Sequence, residues 1–347
     1  MVDLSFSPTA SIGKKNRMNN FETGALPIGK LDSEILQRAV IDQIEYKRPE
    51  VRVHSQIGVD CAAIDFGEYE CLMSTDPITA SVNDIGRLCI NISANDIAAS
   101  GVEPVGIMLT VLLPVGTTEE DIERMMADAA AAARSAGIEI MGGHTEITEA
   151  VNKPVIVSTA IGRGRKVQTA TDIEIGDQVI MTKTAGIEGT AIIARDYAQD
   201  LAEALTPEEL EHAQNLIREV SVVREGIIAG RIGTHGMHDI TEGGVLGAVW
   251  EVCNIADVGV LLEEENIPID PVSRKICEFY QIDILRLISS GSMLIIASPD
   301  SPIVTELRKA GIQTSIIGTI RPKEEGLYIN HRIITPPVAD ELYKVVR

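Results

Sequence analysis

Four aspartates stand where apolar segments end. Asp60 follows Gly58-Val59 and precedes Ala62, and Asp76 lies in Ser74-Thr75-Asp76-Pro77. Asp96 lies in Asn95-Asp96-Ile97-Ala98-Ala99, and Asp239 in His238-Asp239-Ile240-Thr241-Glu242-Gly243-Gly244. Carboxylate oxygens are the hard ligands that Mg²⁺ accepts, alongside phosphate oxygens and water. A lone aspartate of this kind is more often a helix cap or turn residue. Four of them, each beside a glycine, a proline or an amide, weaken that explanation, although spacing leaves their convergence open. Gly142-Gly143-His144-Thr145-Glu146 offers backbone N–H groups and a hydroxyl suited to an anion. Gly243-Gly244 precedes a helix at Val245, whose N-terminus favours negative charge. Ordinary turns use the same glycine pairs. His235, His238 and Asp239 bring only two histidines together, so turn or supporting roles are expected rather than zinc ligation. Gly24-Ala25-Leu26-Pro27-Ile28-Gly29-Lys30-Leu31 imitates a Walker A loop but has Leu31 in place of the Mg²⁺-binding hydroxyl and no apolar strand before it.

The elements that must position these residues are legible in outline. Asp32 can cap a helix through Ile35, Leu36, Ala39 and Val40. Two short strands are expected at 62–66 and 71–74, a buried helix at 85–99 and a strand at 105–113. Thr117 and Glu120 read as a capping box. The helix they open puts Ile122, Met125, Met126, Ala129, Ala130 and Ala133 on one face and ends at Gly137. A strand at 138–141 then runs into Gly142-Gly143, and another covers 154–161. Beyond a boundary near 165–175, strands are expected at 178–182, 258–263, 293–298 and 314–320. Helices are expected at 190–203, 207–229, 244–256 and 302–310. Thr206-Pro207-Glu208-Glu209 opens the second of these. The class is α+β with two domains: residues 28–165 and 172–347, after a mobile tail at 1–27.

Composition bounds the chemistry. The 347 residues hold 30 Lys plus Arg against 51 Asp plus Glu, a net charge of −21, which disfavours nucleic acid as partner. Apolar residues at 45% suffice for real cores. Aromatics at 3%, with Trp250 alone of its type, argue against stacking platforms for single strands. No apolar run has the length of a membrane span, and the polar N-terminus lacks the core of a signal peptide. Five cysteines without a C-x-x-C pair fit a reduced cytoplasm.

Taken in order, Asp60-Cys61-Ala62-Ala63-Ile64, Ser74-Thr75-Asp76, Asn95-Asp96-Ile97-Ala98-Ala99-Ser100-Gly101, Gly142-Gly143-His144-Thr145-Glu146 and Asp239-Ile240-Thr241-Glu242-Gly243-Gly244 resemble the aminoimidazole-ribonucleotide (AIR) synthase superfamily. The resemblance covers roughly residues 28–335, and the second half, through Ile267-Pro268 and Ser290-Gly291, is most similar to the hydrogenase-maturation protein HypE. It implies a two-domain architecture whose mixed α/β N-terminal domain builds an intersubunit barrel, a homodimer through those domains, and ATP with Mg²⁺ in a cleft between the domains. It implies Mg²⁺ on Asp60, Asp76, Asp96 and Asp239, and nucleotide phosphates near Asn95, Gly142, Gly143 and Thr145; Gly243 and Gly244, before their helix, are further cofactor-binding candidates. Lys30 matches a lysine of selenophosphate synthetase and is a candidate catalytic residue, although the neighbouring Cys or Sec is absent. His144 stands where HypE and thiamine-monophosphate kinase have an aspartate, and is the second catalytic candidate. The last cysteine is Cys277, so the HypE reaction on a C-terminal thiol is not expected. The expected activity is ATP-dependent phosphoryl transfer to an oxygen of a small substrate. A non-catalytic nucleotide-binding dimer and a kinase resembling thiamine-monophosphate kinase are the alternatives.

Overall fold

The computed structural model describes residues 31, 33–79, 83–165, 172–337 and 339–346. The N-terminal tail, the Gly24–Lys30 loop with Lys30, the Asp32 cap and most of the boundary segment lie outside the described residues.

The first half runs α1 (Ser33–Ala39), β1 (Val51–Val53), β2 (Ala62–Asp65), β3 (Glu70–Ile78), α2 (Ile85–Ala99), β4 (Glu103–Pro114), α3 (Glu119–Ala136), β5 (Glu139–Thr148) and β6 (Val155–Gly164). Its six strands form one sheet in the order β1-β2-β3-β6-β4-β5. Only β4 and β5 are parallel, because α3 carries the chain back between them. One sheet face, with Leu72, Ile107, Leu109, Val111 and Ile156, is buried beneath α2 and α3. The opposite face keeps Val105, Met108 and Met141 exposed. Strand β5 is an edge.

The second half runs β7 (Gln178–Thr182), α4 (Ile187–Asp196), α5 (Ala198–Leu201), α6 (Pro207–Asn215), α7 (Val223–Ile232), β8 (Gly236–Asp239), α8 (Gly244–Ala256), β9 (Gly259–Leu262), α9 (Pro271–Tyr280), β10 (Met293–Ala297), α10 (Ile303–Lys309), β11 (Thr314–Arg321), β12 (Leu327–Ile329) and β13 (Arg332–Ile333). The sheet order is β13-β12-β9-β11-β7-β10-β8.

The halves share one apolar core. Leu88, Ile90 and Ile97 of α2 belong to the same buried cluster as Ile187, Ile192 and Ile193 of α4. Helix α7 approaches the end of α2 so closely that a Cβ on Gly226 would lie 2.2 Å from the Ala98 carbonyl oxygen.

Several expectations need correction. The α3 cap is Thr118 with Asp121, one residue later than the Thr117–Glu120 box. Thr117 instead donates its hydroxyl to the Pro114 carbonyl, closing the turn before the helix. On α3, Ala132 is buried and Ala130 is exposed. The helix expected over 207–229 is broken into α6, a 3₁₀ turn at Leu216–Glu219 and α7. Backbone groups of Val220 and Val222 bond across to Asn95, an alternative partner that ends the helical ladder there. Strand β5 does not stop at Met141 but continues to Thr148. Sequence periodicity also misses β8, whose four residues are all buried, and α9, despite its Asp270 cap and Pro271.

Candidate functional site

Residues from four separated segments meet where the two halves face each other. Asp60 lies in the loop before β2, and Asp239 ends β8. Ligand atoms of Asp60, His238 and Asp239 all lie within 4.8 Å of one another. Asp76 and Asp96 adjoin them. On β3, alternation puts Ser74 and Asp76 on the face toward α2. On α2, Ser93 and Asp96 are three residues apart and so share a helix face. The Ser93 hydroxyl donates to Asp76 Oδ2 at 3.0 Å. The Ser74 hydroxyl donates to Asp96 Oδ2 and also lies 3.4 Å from Asp76 Oδ2. Two serines therefore orient two carboxylates from adjoining elements.

The electrostatics record the same convergence. Burial pushes the Asp96 carboxyl well above the usual carboxylate range, and the charges of Asp239, Asp76 and Asp60 add to it. Burial also pushes Asp239 up to about 7; Asp60 and Asp76 reinforce the shift while His238 opposes it. Burial alone would lower His238, but Glu251, Asp60 and Asp239 override it and raise the imidazole to about 10. The neighbouring Cys61 thiol is pushed well up by burial and by Asp96. Two unit charges about 4 Å apart cost or gain about 4 kcal/mol at an effective dielectric near 20, so these carboxylates draw in protons or a cation. Both carboxylate oxygens of Asp239 are buried without a hydrogen-bond partner among the described residues. Unpaired buried acceptors beside further carboxylates are the donor set a divalent cation satisfies, so the residues present fit a metal.

The other expected residues separate into two groups. Asn95 is fully buried; its Nδ2 donates to the Val220 carbonyl and its Oδ1 accepts from Val222 N–H, each at 2.8 Å. Its amide joins the halves. Gly243 N–H donates to Asp340 Oδ2 at 2.7 Å, so a carboxylate of the chain already holds that donor at the start of α8. Gly244 N–H bonds the Thr241 carbonyl within its own turn. Neither glycine offers its N–H to a nucleotide in this arrangement.

Gly142, Gly143, His144 and Thr145 lie on β5 rather than in a turn. The register runs Asp76–Ser158–Leu109–Gly143 across β3, β6, β4 and β5. Three strand spacings separate Gly143 from Asp76, about 14 Å. His144 is exposed and its Nε2 sits 3.1 Å from Glu146 Oε2. The sheet thus holds these four residues away from the carboxylates. Gly143 also has a packing role: its φ is +148°, and a Cβ there would lie 1.8 Å from the Leu109 carbonyl oxygen.

Sequence reasoning missed Ser74, Ser93 and Glu251, and it expected only a turn or supporting role of His238, which lies within the cluster. The two serines had a signal, since each shares a face with an expected ligand. Glu251, on α8, had none, because only the docking of α8 beside β8 brings its Oε2 to 3.4 Å from His238 Nε2.

The family model for the AIR synthase related protein N-terminal domain matches residues 58–164, and that for its C-terminal domain matches 174–330. The chain is 25% identical over 340 residues to a putative hydrogenase expression/formation protein of Methanocaldococcus jannaschii, covering 91% of this chain and 97% of that one. It is 26% identical over 289 residues to the carbamoyl dehydratase HypE of Escherichia coli, covering 78% and 81%. Among solved structures, HypE in a HypE–HypF complex aligns with a TM-score of 0.72 at 22% identity, over 87% of this chain and 99% of that one. ThiL complexed with AMPPCP and TMP aligns with a TM-score of 0.71 at 19% identity, over 90% and 99%. These structures share the mixed α/β two-domain fold. With both of its halves matched in order and the motif aspartates gathered between them, the chain belongs to the AIR synthase related family.

Proposed function

We propose that the chain is an ATP- and Mg²⁺-dependent phosphoryl-transfer enzyme that activates an oxygen of a small substrate. The observation that carries this reading is the meeting of Asp60, Asp76, Asp96 and Asp239 with the two Asp239 oxygens unpartnered. Support also comes from relatives described as carbamoyl dehydratase HypE and from a solved HypE structure in complex with ATP, of the same fold. Bound there, Mg²⁺ would neutralise phosphate charge, the main catalytic demand of phosphoryl transfer.

The chain's own residues divide the work. Asp239 and Asp60 hold the cation, and Asp60, the more exposed, faces the incoming ligand. Ser74 and Ser93 fix the carboxylates of Asp96 and Asp76 before anything binds, so little ordering is left to pay. Gly142, Gly143 and Thr145 on edge strand β5 stay assigned to an anion in this reading, at a place about three strand spacings from Asp76 and so apart from the cation. Homodimerisation through the uncovered sheet face and a cytoplasmic location with its five free cysteines belong to the same reading.

The test is ATP consumption with candidate substrates, scored as ADP release. Asp239→Asn and Asp60→Asn should each lower turnover about 100-fold or more while leaving the circular dichroism spectrum unchanged. Turnover undiminished in both variants would sink the assignment. Radiolabel appearing directly in a phosphorylated alcohol or phosphate ester would instead support a kinase of the ThiL kind.

A further inference from the structure

The helices of the two halves leave a hollow of about 560 Å³ between them, and none of Asp60, Asp76, Asp96 and Asp239 lines it. Three guanidiniums do: Arg87 in the first turn of α2, Arg218 in the 3₁₀ turn after α6, and Arg224 in the first turn of α7. Such a gathering of cations runs against a chain of net charge −21. Arg87 gives an N–H to Asp128 Oδ1 at 3.2 Å, and Arg224 gives one to the Ala310 carbonyl at 3.0 Å. Arg218 has no hydrogen-bond or ion-pair partner among the described residues. Each guanidinium carries five N–H donors, so most of them stay open. The acids of the lining are largely engaged elsewhere. Glu225 is buried against Lys183 Nζ at 2.9 Å, and Asp270 caps α9 and pairs with His212 at 2.8 Å, which leaves Glu219.

The backbone that carries Arg218 and Arg224 is held from two sides. Lys183 Nζ donates to the Glu219 and Ser221 carbonyls at 2.9 and 2.6 Å, while Asn95 holds the Val220 carbonyl and the Val222 N–H. Both arginines thus project from a fixed strap, which lowers the ordering cost of binding.

We propose that this hollow is a second ligand site, taking a small phosphate monoester whose phosphate meets Arg218, Arg224 and Arg87 and whose carbon skeleton lies against Ala136, Leu216 and Ile312. The planar fork of arginine matches phosphate oxygens two at a time, and a dianion answers the two guanidiniums that no carboxylate neutralises. The volume suits a small molecule. Arg87 and Asp96 stand nine residues apart on α2, about 14 Å along its axis, so the two sites are distinct. The inference stands on these residues and does not need the carboxylate cleft to transfer phosphate.

The experiment uses the full chain with chelator present, so that no cation carries phosphate to the aspartates. Phenyl phosphate and inorganic phosphate are titrated separately by calorimetry. The expected result is saturable binding of phenyl phosphate, tighter than that of inorganic phosphate because the ring adds apolar contact. Arg218→Ala and Arg224→Ala should each weaken it about tenfold, the loss of one charge-assisted pair, and the double variant should abolish it. Both side chains are exposed, so their truncation should leave the circular dichroism spectrum unchanged. Asp60→Asn and Asp239→Asn should leave the affinity unchanged. No saturable binding, binding undiminished in the double arginine variant, or binding lost in Asp60→Asn would overturn the proposal. Equal affinity for the two probes would overturn the ester and leave free phosphate as the ligand. Binding that persists in a chain that consumes no ATP defeats phosphoryl transfer alone.

Discussion

At the scale of single residues, Asp239 is the group on which pH should act most visibly. Its folded-state value, about 7, lies above that of an unfolded aspartate, so between about pH 4 and pH 7 the metal-free folded protein binds a proton that the unfolded chain has released. That contribution is fully present below the unfolded value and is lost as pH rises through 7. Glu188, raised to about 7 chiefly by burial, and Asp340, raised to about 6 by burial, act in the same direction. The melting temperature of the chelated protein should therefore fall from pH 5 to pH 8. Added divalent cation should recover stability at the upper end, where the carboxylates are charged. Asp239→Asn should flatten the slope; calorimetric scans at fixed ionic strength with and without chelator check this, and a slope unchanged in the variant would remove Asp239 from the account.

Single elements carry a second set of consequences. Asn95 sits on α2, but the structure it shapes is the gap between α6 and α7, because its amide holds Val220 and Val222 out of a continuous helix. Asn95→Ala would leave a buried carbonyl and a buried N–H unpaired, a loss of about 2–6 kcal/mol at about 1–3 kcal/mol per group. Urea denaturation monitored by circular dichroism measures that directly. Strand β5 depends on the absence of a side chain at Gly143, given the 1.8 Å approach to the Leu109 carbonyl. Gly143→Ala should cost more than about 1 kcal/mol and loosen the β4–β5 pairing, seen as faster amide exchange along both strands. The length and the Ala and Ile content of α2 mark a buried helix to its ends, and α8 also spans the expected residues. Strand β5 reads short because Gly142-Gly143 signals a turn locally, whereas pairing with β4 extends the strand through both glycines.

At the scale of the whole molecule, the site exists only while the halves are docked. Gly226 of α7 rests against Ala98 near the end of α2, close in sequence to Asp96. Gly226→Val should wedge the two helices apart and weaken cation binding about tenfold or more, with each sheet still formed by circular dichroism; calorimetric titration with Mg²⁺ reads the loss. The uncovered face of the first sheet carries Met108 beside Val105 and Met141, each about half exposed, and an apolar face of that kind asks for a partner. Met108→Glu should shift a homodimer toward monomer in light scattering after size exclusion, and a mass unchanged by it would argue against that face. By itself the sequence determined the acidic balance, most helices and strands, and the order of the four aspartate motifs, because these rest on composition and on periods of two and about 3.6 residues. Tertiary structure alone decided that Asp60, from before β2, meets Asp239, at the end of β8. It also decided that His238 and Glu251 join them, that Asn95 serves the domain junction and that β5 stands three strands away. Those outcomes depend on how distant segments dock, and distance in space between such segments leaves no period in a chain.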